Sequence, residues 1–186
     1  MQFDPSPHHR RSVRLSGFDY ANAGAYFVTL VTQKRSCLLS RIIAGLVEPT
    51  GIGQVAEAEW IATTRMRRVE LGSYVLMPNH LHGILIIKEV ERPIGASSDR
   101  PDKISHMRAS GPQIASLGAL IGGYKAAVTK RCRQIGALPE AGTLWQRNYY
   151  EHFIRNDEDW NAIDEYIADN PRRWAEDSEN PNRASR

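Results

Sequence analysis

The chain has 186 residues, 41% of them hydrophobic and 24% charged, with a net charge of +3 and a pI near 9.0. Such a balance suits one domain with a real core and excludes an intrinsically disordered chain. No apolar run approaches the ~20 residues that cross a bilayer, so no membrane partner is expected. The mild positive charge permits an anionic one. Cys37 and Cys132 are the only cysteines. They make neither a disulfide framework nor a cysteine zinc site, which points to a reducing cytoplasm.

Residues 1–22 read as a flexible basic arm. Arg10, Arg11 and Arg14 make it basic, either as a solvated tail or as a phosphate-contacting segment, and it lacks the apolar stretch of a signal peptide. A domain is expected over 23–175. It opens with Ala25 to Thr32, dense in β-branched and aromatic residues and so a strand. Ser40 to Pro49 suits a small hairpin, and Gly51 to Arg68 has helical spacing, with Arg65, Arg67 and Arg68 in its last turn. Two strands follow, Leu71 to Leu76 and Leu81 to Lys88, joined through Pro78-Asn79, a turn signal. Residues 89–112 are rich in Pro, Gly and Ser without periodicity, and read as a mobile loop. Gln113 to Ile135 is a helix, with Lys125, Lys130 and Arg131 toward its C-terminal half. Those cations suit either a solvated face or contact with nucleic acid. Leu144 to Ile154 is a polar-aromatic strand or extended edge. A last helix opens at Asn156, a plausible N-cap, and ends by Asn170 because Pro171 disfavours helix before it. Residues 176–186 read as a disordered tail. The expected fold class is α+β, an antiparallel sheet with helices packed on one face. The other face is then free for a site.

The chemistry concentrates in two stretches. In His80-Leu81-His82 the strand period puts both imidazoles on one side and Leu81 on the other. Two such rings can share a divalent metal or a phosphate. In the last helix, Tyr166 and Asn170 lie one turn apart on one face. Tyr166 suits an attacking phenol or a packed aromatic, and Asn170 a metal-directed carbonyl oxygen or a helix cap. Two imidazoles and an amide oxygen suit Mg²⁺ or Mn²⁺ if phosphate and water complete the shell. Tyr149, Tyr150 and Tyr124 are rival nucleophiles without that one-turn polar partner.

Val75 to Gly83 resembles the His-hydrophobe-His segment of the single-tyrosine HUH transposases. Trp145 to Asn156 and Tyr166 to Pro171 resemble their C-terminal signature, most closely that of the REP-associated tyrosine transposase branch. Gly24 to Thr29 and Gly123 to Lys130 resemble further segments of that branch, so the similarity runs with gaps from Arg10 to Trp174. The resemblance implies the ferredoxin-like HUH nuclease fold, with His80, His82 and Asn170 on a divalent metal and Tyr166 as nucleophile. It also implies a substrate of single-stranded DNA beside a palindromic hairpin, a cytoplasmic, nucleoid-associated setting, and a monomer or homodimer. Lys125, Lys130, Arg131 and Arg147 are the expected DNA contacts. Two other classes compete. A histidine-triad hydrolase would need a third His where Ile84 stands. A non-catalytic nucleic-acid-binding module of the same fold would bind DNA without ever becoming covalently attached to it.

Overall fold

The computed structural model describes residues 23–66, 68–88 and 116–183. The expected basic arm, the loop 89–112 and Arg67 lie outside them. Strand β1 spans Gly24–Val31, β2 Ser40–Ile43, β3 Leu46–Pro49, β4 Val69–Leu76, β5 His80–Ile87 and β6 Tyr150–Ile154. Helix α1 spans Gly51–Ala62, α2 Leu117–Gln134 and α3 Asp157–Asp169. Four strands form an antiparallel sheet in the order β4-β5-β1-β6, while β2 and β3 make a separate hairpin. This is the ferredoxin-like α+β arrangement expected from the sequence.

The period of two in β1 divides the core. Tyr26, Val28 and Leu30 point to one face, where they pack with Trp60 of α1 and with Leu120, Ile121, Tyr124 and Val128 of α2. Phe27 points to the other face and meets Ile84, Ile154, and Ile163 and Ile167 of α3. So α1 and α2 share one face, as expected, while α3 closes the face that was expected to be free. The amphipathic spacing of Trp160, Ile163 and Ile167 explains this, since such a stripe must be buried.

Local chemistry sets the helix ends. Thr50 caps α1 by accepting from Gly53 N, and Asn156 caps α3, accepting from Asp159 N at 2.9 Å. Helix α1 stops at Ala62 rather than running to Arg68. A short 3-10 turn, Thr63–Arg65, follows, with Thr63 Oγ1 donating to Trp60 O at 2.7 Å. Arg68, expected to face a helix dipole, donates instead to Lys88 O beyond β5. Only Tyr150–Ile154 of the expected edge strand is paired along its length; upstream, Trp145 makes a single bridge to Thr32. Within the expected disordered tail, 176–186, Glu179 is 5% exposed and is held by Arg35 and Asn79, while Glu176, Pro181, Asn182 and Arg183 are exposed.

The strand that carries the two histidines is held close to α1. At Gly83 an added Cβ would sit 2.5 Å from the Trp60 ring and 3.2 Å from Tyr74 Cβ. Trp60 is itself fully buried between Tyr74 and Tyr124. Gly83→Ala is therefore expected to destabilise the protein by about 1–3 kcal/mol through overpacking. A urea titration that gives the same midpoint as wild type would show that β5 and α1 are not in such close contact.

Candidate active site

His80 and His82 project from β5 onto the α3 face, in register with Val31 and Thr29 of β1. Both are buried and their ring centroids are 4.4 Å apart. Each ring is oriented by a hydrogen bond through Nδ1. His82 Nδ1 lies 2.8 Å from Thr29 Oγ1, on the neighbouring strand. His80 Nδ1 lies 2.8 Å from Asn79 Oδ1. The tautomer of His80 follows from the bonds of Asn79. Asn79 Nδ2 donates to Arg35 O at 3.1 Å and to Glu179 O at 2.6 Å, so Oδ1 is the acceptor. His80 Nδ1 must carry the proton, and Nε2 keeps its lone pair. A metal-binding imidazole is oriented in the same way, by a hydrogen bond at its other nitrogen.

His80 Nε2 has no hydrogen-bond partner among the described residues. It faces Asp177 Oδ2 at 3.7 Å, too long for a hydrogen bond. The other oxygen, Oδ1, accepts from Glu179 N at 2.7 Å. Donor atoms of His80, His82 and Asp177 all lie within 4.8 Å of one another. Two nitrogens and a carboxylate oxygen around an orphaned lone pair fit a divalent cation. Burial pushes His80 well below the usual imidazole range, with His82 adding to the effect, and pushes His82 down to about 3. The pair is thus neutral at physiological pH, as ligand nitrogens must be.

Helix α3 brings Tyr166 to this cluster. Its hydroxyl is 3.3 Å from His82 Nε2, and its ring stands edge-on to Phe27 with centroids 6.0 Å apart. The helix is pinned at its start, where Asp159 accepts from Arg155 N and pairs with His152 of β6 at 2.9 Å. Asn170 is buried at the C-terminal end of α3 and donates through Nδ2 to Tyr166 O at 2.8 Å. Of the rival tyrosines, Tyr150 faces the α3 side and packs edge-on to Phe27, and Tyr149 packs with the opposite core. Tyr124 is buried on the α1–α2 face, its hydroxyl on Ala56 O at 3.1 Å.

Three of the expected DNA contacts, Lys125, Lys130 and Arg131, lie on α2, and Arg147 lies in the segment that Lys125 holds. Lys125 Nζ donates to Gln146 O at 2.9 Å and Asn148 O at 3.0 Å, tying down the segment before β6, and burial pushes it down to about 8. Arg131 pairs with Glu59 at 3.0 Å, while Lys130 and Arg147 are exposed. Three residues of the site escaped the sequence. Thr29 reads as an ordinary strand residue, Asn79 as part of a turn, and Asp177 sits in a polar stretch without periodicity.

No family model matches the chain. An uncharacterized protein of Haemophilus influenzae is 31% identical over 180 residues, covering 95% of this chain and 96% of that protein. The chain belongs to that protein's family. Among solved structures, a REP-associated tyrosine transposase bound to a REP hairpin aligns with a TM-score of 0.57. The match covers 84% of this chain and 72% of that one, at 22% identity. The fold is therefore the one expected from the His-Leu-His and Tyr-containing segments. No helix among the described residues is long and apolar enough to cross a membrane.

Burial of two neutral imidazoles has a thermodynamic consequence. In the unfolded chain both titrate near the ordinary 6.5, whereas in the folded protein both stay neutral well below it. Below pH 6.5 the unfolded state binds more protons, so stability falls as pH falls toward about 3. In chelator-treated protein the urea midpoint is expected to drop between about pH 7 and pH 5, above the main carboxylate range. The double variant His80→Gln, His82→Gln should flatten that slope. A wild-type midpoint that is flat over this window would contradict a buried neutral pair.

Proposed function

We propose that the protein is a metal-dependent single-strand DNA endonuclease and strand transferase of the tyrosine transposase kind, acting beside palindromic hairpins. One observation carries this reading. On a transposase-like fold, a helix-borne phenol lies 3.3 Å from one of two buried, neutral, same-face histidines. Support for a hairpin substrate comes from the solved transposase, which is bound to one.

In this reading His80 and His82 hold Mg²⁺ or Mn²⁺ through their Nε2 atoms. Asn170 contributes Oδ1, the atom that its bond to the Tyr166 carbonyl does not use. A bound divalent cation polarises the scissile phosphate and offsets charge on its oxygens. The remaining work belongs to the chain. Phe27 and His82 restrict the Tyr166 ring, and the Asn170 bond fixes the turn that carries it. The phenol oxygen attacks phosphorus, the bond from phosphorus to the 3′ oxygen breaks, and a 5′-phosphotyrosine and a free 3′-OH result. The proton lost by the phenol is matched by the proton gained by the 3′ oxygen. One phosphodiester replaces another, so a second 3′-OH can reverse the step and join strands without a nucleotide cofactor. Lys125, Lys130, Arg131 and Arg147 are the proposed phosphate contacts. Their contribution should weaken as salt rises.

Tyr166→Phe keeps the ring and its packing but removes the attacking atom. It is expected to fold, bind Mn²⁺ and hairpin DNA, and form no covalent adduct on a denaturing gel. Tyr149→Phe and Tyr150→Phe should retain the adduct, and peptide mapping should find the nucleotide on Tyr166. Binding without any adduct in the wild-type protein is the outcome of a non-catalytic module. Adduct formation by Tyr166→Phe at the wild-type rate would assign the nucleophile elsewhere. Asn170→Ala should raise the Mn²⁺ concentration needed for half-maximal cleavage; an unchanged requirement with only about 1 kcal/mol of lost stability would reduce Asn170 to a cap.

A further inference from the structure

We propose that Asp177 is the acidic ligand of the metal site, and that the C-terminal segment 174–180, already anchored beside the histidines, is the part of the site that metal binding tightens. The inference rests on the metal-dependent reading above and deepens it. Nothing in the sequence pattern around Asp177 suggests such a role.

Three observations carry it. The first is the orphaned lone pair. His80 is fully buried and its Nε2 has no hydrogen-bond partner among the described residues, yet it is aimed at Asp177 Oδ2 3.7 Å away. That separation is too long for a hydrogen bond but short enough for two atoms that share one cation with bonds of about 2.0–2.2 Å each. The second is the orientation of the carboxylate. Asp177 Oδ1 accepts from Glu179 N at 2.7 Å, and Oδ2 is the oxygen on the His80 side. The third is the anchoring of the segment. Glu179 Oε2 pairs with Arg35 Nε at 2.8 Å, and Glu179 O accepts from Asn79 Nδ2 at 2.6 Å. Asn180 Nδ2 closes the turn onto Trp174 O at 2.9 Å, with the Trp174 ring 6.1 Å from that of His80.

The donor set explains why an acid is needed. Neutral imidazoles suit many transition metals, but Mg²⁺ and Mn²⁺ favour oxygen donors. Two neutral rings alone also leave the full +2 charge buried and unpaired. One carboxylate lowers the site to a net +1, still suited to a phosphate. The anchor also links the two halves of the site. Asn79 holds Glu179 with its amide nitrogen and His80 with its oxygen, so the bond that docks the segment also belongs to the group that sets the histidine tautomer.

The test is Mn²⁺ binding followed by electron paramagnetic resonance, without DNA, on the full chain. Asp177→Asn is nearly isosteric and should weaken Mn²⁺ affinity by more than about tenfold. Glu179→Gln removes only the charge of the Arg35 pair, leaves the backbone bond to Asn79 in place, and should weaken Mn²⁺ affinity less, in the same direction. Hydrogen exchange of amides 174–180 should slow on Mn²⁺ saturation in the wild type and not in Asp177→Asn, a readout that does not depend on activity. Equal affinity for wild type and Asp177→Asn, with binding lost in His80→Ala, would overturn the proposal and leave the metal-dependent reading standing. Tighter binding by Asp177→Asn would make the segment a plug rather than a ligand, and would also overturn it. Exchange at 174–180 that is unaffected by Mn²⁺ in the wild type would overturn the tightening half. No Mn²⁺ binding by the wild type would defeat the metal-dependent reading itself.

Discussion

The hydrogen bonds of one buried amide, Asn79, organise the centre of this protein. Its nitrogen is committed to two carbonyl oxygens, those of Arg35 and Glu179, and its oxygen to His80 Nδ1. Because Asn79 is fully buried, a missing bond would leave a polar atom unsatisfied, at a cost of about 1–3 kcal/mol. The amide therefore has one orientation. From it follow the protonated nitrogen of His80, the bare nitrogen that faces the site, and the position of the C-terminal segment. Thr32 secures the same turn: its N–H donates to Asn79 O at 2.8 Å, and its hydroxyl Oγ1 lies 2.8 Å from Ser36 O and 3.0 Å from Asn79 O. The Arg35 carbonyl reaches Asn79 from a turn in which Lys34 and Arg35 both have positive φ, 57° and 55°. Such a conformation costs a residue with a side chain about 1–2 kcal/mol, which the Asn79 and Glu179 contacts offset.

The sheet gives the site its rigidity. His80 and His82 lie on a central strand, paired with β1 on one side, and for His82 with Val75 of β4 on the other. Thr29 reaches His82 from β1, so a ring-orienting bond crosses between adjacent strands rather than through a loop. One face of the sheet is a conventional apolar core under α1 and α2. The other mixes an apolar cluster with two imidazoles, and α3 reaches both: Ile163 and Ile167 pack on the apolar part and Tyr166 on the His82 ring. Burying neutral histidines lowers acid stability, and it is also what makes their nitrogens available to a cation. A single environment thus sets a cost in stability and a capacity for binding.

Fold and function carry separate arguments here. The likeness to a solved transposase at 22% identity establishes how the chain is arranged. Folds of this simplicity host many activities. What sets this chain apart is the convergence of side chains on the His pair from four separate segments: β1, the turn before β5 with β5 itself, α3, and the C-terminal segment.

The sequence by itself determined the parts of this protein that follow from local periodicity. Alternation places His80 and His82 on one face of a strand whatever the tertiary structure, because the pleat has a period of two. Helical spacing likewise unites Tyr166 and Asn170, and Asn156 marks the start of their helix because its side chain caps the first turn. Only the tertiary structure decided what approaches them. The hairpin pattern of β2 and β3 is local, but α1 ends early because Thr63 and Arg68 find backbone carbonyls that the sequence does not display. The face of the sheet taken by α3 depends on which strand side has room for Ile163 and Ile167. Asp177 lies 97 residues from His80, the difference of their positions, in a segment with no apolar spacing. Its place at the site is set by Arg35 and Asn79, which bind Glu179 two residues away. Periodicity reports which residues share a face of one element; it carries no information on a contact made through the anchor of a neighbour.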